Sequence, residues 1–476
     1  MTIQDFRNIL PLLIIAAASV LLLVLIAARR NHRLACWLAG LALAGAFATS
    51  LFPSGTMPQA VGGLLAIDGF SLFYSALLSA AGLVVVLLSY PYLQPLREQM
   101  EEYYVLILLA VLGAVILAAS RHFASFFLGL ELLSASLYAL IGYLVKSRDR
   151  SVEAGVKYLI LAAASAAFLL FGMALVYFET GVLGFSDIGV HLAQAGALSP
   201  LAIAGFGLII VGIGFKLALV PFHMWAADVY EGAPAPVSAL VATVSKGGVV
   251  ALLLRFYNEA GGYQFPSLTL LFALFAAASM LGGNLLALLQ DNVKRILAYS
   301  SIAHLGYLAV AFLAGGKMGA GAATFYLVAY FVTILGAFGI VAHLSSGEEE
   351  AERVSDYRAL FWRRPWAAAA FTAMLLSLAG IPLTAGFMGK FYIAAAGVEG
   401  GLWALLFILV ASSVIGLYYY LRIVVAMFSQ AEEQKPVKLR LFSGAGLILA
   451  LLVVALVWLG ISPQAMMGWI NQWVAG

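Results

Sequence analysis

The sequence of residues 9–28 is ILPLLIIAAASVLLLVLIAA, a run of twenty residues that contains one serine and no charge. A bilayer core about 30 Å thick is crossed by about 20 apolar residues in an α-helix, and this run has that length. Its apolar residues are continuous and do not alternate with polar ones, which favours a helix over a membrane strand. Arg29, Arg30 and Arg33 follow without a small-residue cleavage site, so we expect a retained first membrane span and not a removed signal peptide.

Runs of the same type recur along the whole chain. Of its 476 residues, 64% are hydrophobic and 10% are charged, whereas soluble domains carry about 25% charged residues. This composition excludes a water-soluble fold and indicates an all-α polytopic membrane protein. We predict about fourteen transmembrane helices, near residues 9–28, 34–52, 69–90, 103–120, 123–145, 157–178, 200–220, 236–256, 266–289, 296–314, 319–344, 366–388, 402–428 and 441–460.

Two of the predicted spans are interrupted by proline and glycine. The seventh contains Pro221, and the twelfth contains Gly380 and Pro382. Proline removes a backbone donor and breaks a helix, and broken membrane helices are tolerated where they line a cavity or pack within protein. From the two breaks we predict two inverted five-helix repeats, each containing a broken helix. The predicted division is a three-helix segment at 1–102, repeats at 103–256 and 257–428, and a last span within 429–476.

Lysine and arginine are unevenly distributed between the two predicted faces. Sixteen lie on the connections that follow odd-numbered spans, and four lie on the other side. Because cytoplasmic connections are enriched in basic residues, we predict that both termini face away from the cytoplasm. The sixteen are Arg29, Arg30, Arg33, Arg97, Lys146, Arg148, Arg150, Lys294, Arg295, Arg353, Arg358, Arg363, Arg364, Lys435, Lys438 and Arg440, and the four are Arg7, Arg121, Arg255 and Lys317.

The longest polar stretch runs from Ser345 to Arg364. An acidic run is followed there by four arginines, and its glutamates are Glu348, Glu349, Glu350 and Glu352. Charge runs usually keep a loop solvated. We therefore expect a cytoplasmic loop or short surface helix and assign it no chemistry.

Five ionisable residues lie inside the apolar spans: Glu131, Lys157, Lys216, Lys246 and Lys390. A charge near the bilayer centre costs about 2.5–3.5 kcal/mol on insertion scales, so several in one chain indicate a polar route for ions. Lysine suits proton handling, because burial disfavours its charged form and a neighbouring carboxylate favours it. We predict a proton relay through the glutamate and the last three lysines, in which Glu131 pairs with Lys216 or Lys157.

Simpler interpretations of these charges stay open. The Glu131 pair could serve packing alone, and Lys157, at the beginning of its span, could extend to the membrane interface. His223 and His304 are possible relay residues, although a lone histidine in a bundle is as often a packing residue. The tyrosines at 418–420 we expect to be packing or interfacial residues.

No redox or metal chemistry is visible in the sequence. Cys36 is the only cysteine, which excludes an intramolecular disulfide and a cysteine-ligated metal cluster. No glycine-rich phosphate loop is present, and a net charge of +3 does not indicate a nucleic-acid partner. We therefore expect no cofactor and no metal in this chain, and any electron transfer to occur in another polypeptide.

Two long runs carry a resemblance to a known family. The first contains PFHMW at 221–225, DVYEGAPAPV at 228–237 and ATVSK at 242–246, and the second is QDNVKRILAYSSIAHLGY at 290–307. Together they resemble the antiporter-like subunits of respiratory complex I, the proton-translocating NADH-quinone oxidoreductase of bacteria. The resemblance extends over essentially the whole chain. One departure is Ala227, where a proline usually precedes the Asp-Val-Tyr run.

The resemblance implies a membrane-arm subunit that moves protons across a bacterial inner membrane. It implies partner subunits that oxidise NADH, reduce quinone and hold FMN and iron–sulfur clusters. It also implies that Glu131 and Lys216 form the charge pair of one half-channel. Lys246 would then be the central relay, and Lys390 would face the exit. Two other interpretations stay open: a stand-alone or multi-subunit cation/proton antiporter, and a structural subunit whose charges only hold helices together.

Overall fold

The structure is a computed structural model that describes residues 8–52, 59–96, 100–144, 149–196, 198–345, 350–430 and 444–474. The first half of the chain forms α1 (Leu10–Ala28), α2 (His32–Leu51), α3 (Gly69–Leu93), α4 (Glu101–Ala119), α5 (Phe123–Ile141), α6 (Asp149–Thr180), α7 (Phe185–Ala195), α8 (Pro200–Leu217), α9 (Ala226–Gly232) and α10 (Ala235–Glu259). The second half forms α11 (Pro266–Leu288), α12 (Val293–Ala314), α13 (Gly316–Leu344), α14 (Leu360–Arg363), α15 (Pro365–Ala379), α16 (Ala385–Glu399), α17 (Trp403–Phe428), α18 (Gly444–Ile461) and α19 (Pro463–Trp473). Two short strands, β1 (Gln59–Val61) and β2 (Leu65–Ile67), pair antiparallel with Ala60 opposite Ala66.

The predicted all-α membrane fold is confirmed. Among the described residues, thirteen helices are long and apolar enough to cross a membrane. The shorter helices α15 and α16 occupy the predicted twelfth span, so the structure accounts for all fourteen predicted spans. The β-hairpin, α7 and α19 are not among the predicted elements, and α6 begins at Asp149, before the predicted boundary. The division into two inverted repeats stays a prediction.

Helices α10, α12 and α13 form the centre of the bundle. Nearly all of their residues are buried by the surrounding helices, whereas α1, α11, α17 and α18 leave one face exposed. Gly248 allows α10 to approach α4 closely, since a β-carbon there would lie 2.9 Å from the Ala114 α-carbon. The buried charged residues Lys246, Arg255 and Lys294 on these helices are therefore held within protein and not in lipid.

The first break separates α8 from α9. Ala218 ends α8 in the left-handed region, with a φ of 57°. The Val220 N–H donates to Ser279 Oγ at 2.9 Å, and the Trp225 indole donates to the Phe215 carbonyl at 2.9 Å. These bonds satisfy groups that the interrupted helix would otherwise leave without partners. The predicted break in the seventh span is confirmed.

The second break separates α15 from α16, as predicted for the twelfth span. Gly380 ends α15 with a φ of 88°, a conformation that favours glycine. The Gly386 N–H donates to Ser377 Oγ at 3.0 Å, and a side chain at Gly386 would overlap the Ser377 carbonyl. Thr384 is the N-cap of α16, since its hydroxyl accepts from the Phe387 N–H. The two half-helices therefore meet through a backbone contact that requires glycine.

The described parts of the connections that follow odd-numbered spans lie together on one face, called here the basic face. Arg150 contacts both Glu231, at 2.5 Å, and Glu352, at 3.4 Å, so three connections meet at one ion-pair cluster. A cavity of about 1290 Å³ opens beside this cluster. Several residues used in the orientation and loop predictions lie outside the described residues: Arg7, Arg97, Lys146, Arg148, Glu348, Glu349, Lys435, Lys438 and Arg440.

Glu350 departs from the expectation for the polar stretch before α15. Its side chain is fully buried, 2.5 Å from the fully buried Lys294 ammonium. Lys294 also donates to the Ala233 carbonyl at 2.7 Å. Glu350 accepts from the Ala235 N–H at 3.0 Å and from the Tyr92 hydroxyl. The expectation of a merely solvated loop is wrong here, because a lysine and a helix N-terminus stabilise the buried carboxylate.

An ion pair between Asp68 and Arg255 lies on the opposite face. Asp68 is the N-cap of α3, and its carboxylate accepts from the Ser71 N–H at 2.8 Å. Arg255, near the end of α10, donates to both carboxylate oxygens at 2.8 Å and is 6% exposed. Burial alone would raise the pKa of Asp68, but the Arg255 guanidinium and the Ser71 N–H hold that pKa below its ordinary value.

The Asp68→Asn variant should lower the free energy of unfolding by about 2 kcal/mol at neutral pH, because it leaves a buried guanidinium without this partner. Asparagine keeps the helix cap, so the change isolates the ion pair. Because the folded-state pKa of Asp68 is lowered, its contribution is full above the unfolded value of about 3.9 and is lost as the pH falls through the folded value. Thermal unfolding of both proteins in detergent, from neutral to acidic pH, measures this. An equal difference in stability at every pH would contradict the assignment.

Candidate functional site

Lys216 is enclosed in the last turn of α8, immediately before the first break. Its Nζ donates to Ser134 Oγ at 2.6 Å and to the Tyr158 hydroxyl at 3.5 Å. The ring centroids of Tyr158 and Phe215 lie 5.2 and 5.8 Å from Nζ, and aromatic faces attract a cation at such distances. Among the described residues, the groups in contact with this ammonium are therefore neutral.

Glu131 lies on α5, one turn before Ser134, but does not contact Lys216. Its Oε1 is buried and has no hydrogen-bond partner among the described residues. The lysine donates instead to the Ser134 hydroxyl. The predicted Glu131–Lys216 pair is therefore not formed as a direct contact, although the carboxylate lies close enough to act on Lys216 through space.

Lys157 lies apart from Lys216, although the next residue, Tyr158, contacts that lysine. Its Nζ is 2.8 Å from Asp228 and 2.6 Å from Glu153. The Lys157 side chain is 43% exposed. The structure therefore places Lys157 in an ion-pair network at the outside of α6, and the alternative pairing with Glu131 is not formed.

Lys246 occupies the centre of the molecule and is fully buried. It follows a turn of π-helix at Val241–Ser245, an irregularity that is frequent at functional sites. Its Nζ donates to Ser301 Oγ at 2.5 Å, and the Tyr330 hydroxyl donates to the same oxygen at 2.6 Å. The Tyr230 hydroxyl lies 3.4 Å from that oxygen. The ammonium is thus bound to a hydroxyl group that itself has further hydroxyl neighbours.

His304 lies one turn beyond Ser301 on α12. Its Nδ1 is 2.6 Å from the Tyr326 hydroxyl, and its Nε2 is 3.2 Å from the Tyr420 hydroxyl. Its ring centroid is 5.4 Å from that of Tyr330, the tyrosine that donates to Ser301. A neutral imidazole donates through one nitrogen and accepts through the other. His304 can therefore receive a proton on one side and release it on the other.

Lys390 lies in α16, after the second break, and its side chain returns to the end of α15. Its Nζ donates to the carbonyls of Leu378 and Ala379 at 3.1 and 2.9 Å, and to Ser413 Oγ at 2.6 Å. The Tyr307 ring centroid is 5.0 Å from Nζ. Lys216 precedes its break whereas Lys390 follows its own, so the two lysines do not occupy equivalent positions.

Tyrosines and one asparagine connect the Lys390 site with His304. Asn284 Nδ2 donates to the Tyr307 hydroxyl at 2.9 Å, and the Tyr419 hydroxyl donates to Asn284 Oδ1 at 3.0 Å. The ring of Tyr419 lies 4.4 Å from that of Tyr420, which contacts His304. We call this buried polar group the central cluster: Lys246, Asn284, Ser301, His304, Tyr307, Tyr326, Tyr330, Lys390, Tyr419 and Tyr420.

Four of the predicted site residues lie outside the central cluster: Glu131, Lys157, Lys216 and His223. In the described structure, no hydrogen bond connects the Lys216 site or Lys157 to it. His223 lies in the first break, half-buried, and its Nδ1 has no hydrogen-bond partner among the described residues. The described residues also contain no group of three His, Cys, Asp or Glu side chains that could hold a metal ion.

The sequence alone does not identify the hydroxyl groups that hold the lysines. Ser134, Ser301 and Ser413 each accept a hydrogen bond from one lysine. A signal exists for Ser134, which lies three residues after Glu131 on the same helix face. Of the tyrosines at 418–420, the last two are buried and also form hydrogen bonds within the central cluster, and the first is 65% exposed.

Comparison with known proteins identifies relatives of this chain. Residues 120–416 match the family described as NADH:quinone oxidoreductase/Mrp antiporter, TM. The chain is 47% identical, over 98% of its length and 94% of the relative, to a Methylococcus capsulatus protein named NADH-quinone oxidoreductase subunit N. A chain of respiratory complex I from Thermus thermophilus, solved with bound aureothin, matches with a TM-score of 0.82 at 35% identity, over 96% of this chain and 98% of that chain.

A chain of the Mrp complex from Dietzia sp. DQ12-45-1b matches with a TM-score of 0.84 at 19% identity, over the full length of both chains. That likeness shows a common fold alone. The family match covers more than half of this chain, and the M. capsulatus relative is similar over nearly all of it. The chain belongs to the NADH:quinone oxidoreductase/Mrp antiporter transmembrane family.

Proposed function

We propose that this chain is a proton-translocating membrane subunit of NADH-quinone oxidoreductase, of the type named subunit N in its M. capsulatus relative. The observation that carries the proposal is the central cluster, in which the buried Lys246 and the partly buried Lys390 are connected through hydroxyl, amide and imidazole groups and through contacts between aromatic rings. Ionisable groups at membrane depth are costly and mark ion pathways. A cluster of this kind in a member of this family supports proton transfer.

The proposed partners are the other membrane-arm subunits of the oxidoreductase, in a bacterial inner membrane. Those partners would oxidise NADH, reduce quinone and hold FMN and the iron–sulfur clusters. The proton chemistry proposed for this chain needs no redox centre, because lysine, histidine and hydroxyl groups exchange protons without changing oxidation state. The chain would act as one translocating unit of a larger enzyme.

In the proposed route, a change of charge in a neighbouring subunit alters the influence of Glu131 on Lys216. Lys216 then passes its proton toward Lys246. From Ser301 the proton would move through His304 and its tyrosine neighbours, and Lys390 would release it at the exit. Lys157 and His223 carry no proton in this route: Lys157 is paired with Asp228 and Glu153, and His223 Nδ1 has no hydrogen-bond partner among the described residues.

A tagged form of the chain, extracted gently from native membranes, should co-migrate with other membrane subunits and with NADH dehydrogenase activity. Native gel electrophoresis with an in-gel activity stain measures this. Migration alone, or with cation/proton antiporter partners and sodium-dependent proton movement, would contradict the assignment to the oxidoreductase.

Replacing Lys246 with alanine should abolish proton translocation by this subunit while the complex still assembles, because Ser301 loses the ammonium that donates to it. Lys246→Met, which keeps most of the side-chain volume, should have the same effect and separates loss of charge from loss of packing. Protons translocated per electron, measured in reconstituted vesicles, is the readout. Lys317→Ala, at an exposed lysine outside the cluster, is the matched control. An unchanged proton-to-electron ratio in the Lys246 variants would contradict the proposed relay.

We also propose that the basic face is cytoplasmic and that both termini lie on the other side. Lys317→Cys should react with a membrane-impermeant thiol reagent from the non-cytoplasmic side, and Ser355→Cys from the cytoplasmic side, because both positions are exposed on opposite faces. The native Cys36 is buried and gives little background. The reverse labelling pattern would overturn the orientation.

A further inference from the structure

The motif at 228–231 carries two carboxylates, Asp228 and Glu231, that the proposed proton route does not use. We infer that Asp228 is a positioning residue that, held between Lys157 and Arg295, fixes α9 between the Lys216 site and the central cluster. The ion pairs would then determine how a change at one lysine site reaches the other. This inference rests on the proposed function and adds to it a coupling element.

Helix α9 is short and isolated from α8 by the break. It has seven residues, and helices of fewer than about 12 residues are marginal without tertiary support. Trp225, immediately before it, packs 4.9 Å from the Tyr158 ring of the Lys216 site. Tyr230, within it, lies 3.4 Å from Ser301, the partner of Lys246. Helix α9 thus contacts both sites, and its position relative to its neighbours is set from outside.

Part of this outside support is ionic. Asp228 Oδ2 lies 2.8 Å from Lys157 Nζ, and Asp228 Oδ1 lies 2.7 Å from Arg295 Nη1. The same Arg295 nitrogen lies 2.8 Å from Glu231, which Arg150 contacts from the other side at 2.5 Å. The carboxylates of α9 are therefore held by basic residues from two helices, α6 and α12. A network of this kind has a more defined geometry than an isolated surface pair.

Helices α6 and α12, which hold α9, also carry hydrogen-bond partners of Lys216 and Lys246. On α6, Lys157 immediately precedes Tyr158, which accepts from Lys216. On α12, Arg295 precedes Ser301 by six residues, about 9 Å along the helix. Asp228 therefore links the segment of α6 next to Tyr158, a partner of Lys216, to the segment of α12 that precedes Ser301, the partner of Lys246. In the described structure no hydrogen bond makes that connection directly.

The Asp228→Asn variant removes the negative charge that lies between Lys157 and Arg295. In Asp228→Asn, the cations Lys157 and Arg295 face each other without the carboxylate between them, and their repulsion should displace α9. Asp228→Glu retains the charge and should restore most of the function. Arg295→Lys retains the opposite charge but lacks the planar fork that contacts two carboxylates and Gln290 at once.

The experiment uses the assembled complex and has two readouts. For Asp228→Asn, amide hydrogen exchange of the 226–232 segment should become at least tenfold faster, and protons translocated per electron should fall at least twofold per assembled complex. Asp228→Glu should recover more than half of that loss, and Arg295→Lys should show an intermediate loss. Glu153→Gln is the matched control, since Glu153 contacts Lys157 but not α9, and both readouts should stay at the wild-type level.

Two results would overturn the inference. One is unchanged exchange of the 226–232 segment in Asp228→Asn, which would show that the carboxylate does not hold α9. The other is faster exchange with an unchanged proton-to-electron ratio, which would show that the position of α9 does not affect coupling. In either case the loss of proton translocation in Lys246→Ala would persist. A failure of the proposed function itself would remove the Lys246 deficit as well, so the two failures are distinguishable.

Discussion

The hydrogen bond from Lys246 to Ser301 is the contact on which the centre of this molecule depends. A buried ammonium without an acceptor would cost several kcal/mol, roughly the whole margin by which many proteins are stable. The acceptor is on α12, whereas the lysine is on α10, so the bond fixes the rotation of both helices. Tyr330 then brings α13 to the same oxygen. Side chains from the three most buried helices thus meet at one serine hydroxyl.

The three lysines of the proposed route, Lys216, Lys246 and Lys390, share a common chemical environment. Each donates to a serine hydroxyl, and each lies within 6 Å of a tyrosine ring. In the described structure none of them contacts a carboxylate. A buried ion pair binds its two charges tightly and resists neutralising either one alone. Hydroxyl and aromatic partners stabilise the ammonium less strongly and remain satisfied when it loses its proton, which suits groups that change charge repeatedly.

The sequence predicted the spans well, because lipid imposes a length and a continuous apolar composition on each helix, and both are local properties. The two breaks could also be predicted from the sequence, because Pro221 and Gly380 act on their own backbone. Contacts between helices could not be predicted in this way. Lys216 and Ser134 are 82 residues apart in the sequence, and their meeting depends on how α5 and α8 pack. Glu350 shows the same limit: its neighbours along the chain indicate a solvated loop, but its neighbours in space bury it.

The side chain of Lys390 ends at the C-terminus of α15, and this position determines its electrostatic environment. The two carbonyls that accept from its ammonium are the last of α15, where the aligned peptide dipoles of that half-helix sum to roughly half a negative charge. The counter-charge at this site is therefore a property of the backbone. It cannot be titrated, and it stays in place whether or not the lysine is protonated. A proton transferred to Lys390 in the proposed route would therefore meet a negative potential from this helix end that does not itself vary with pH.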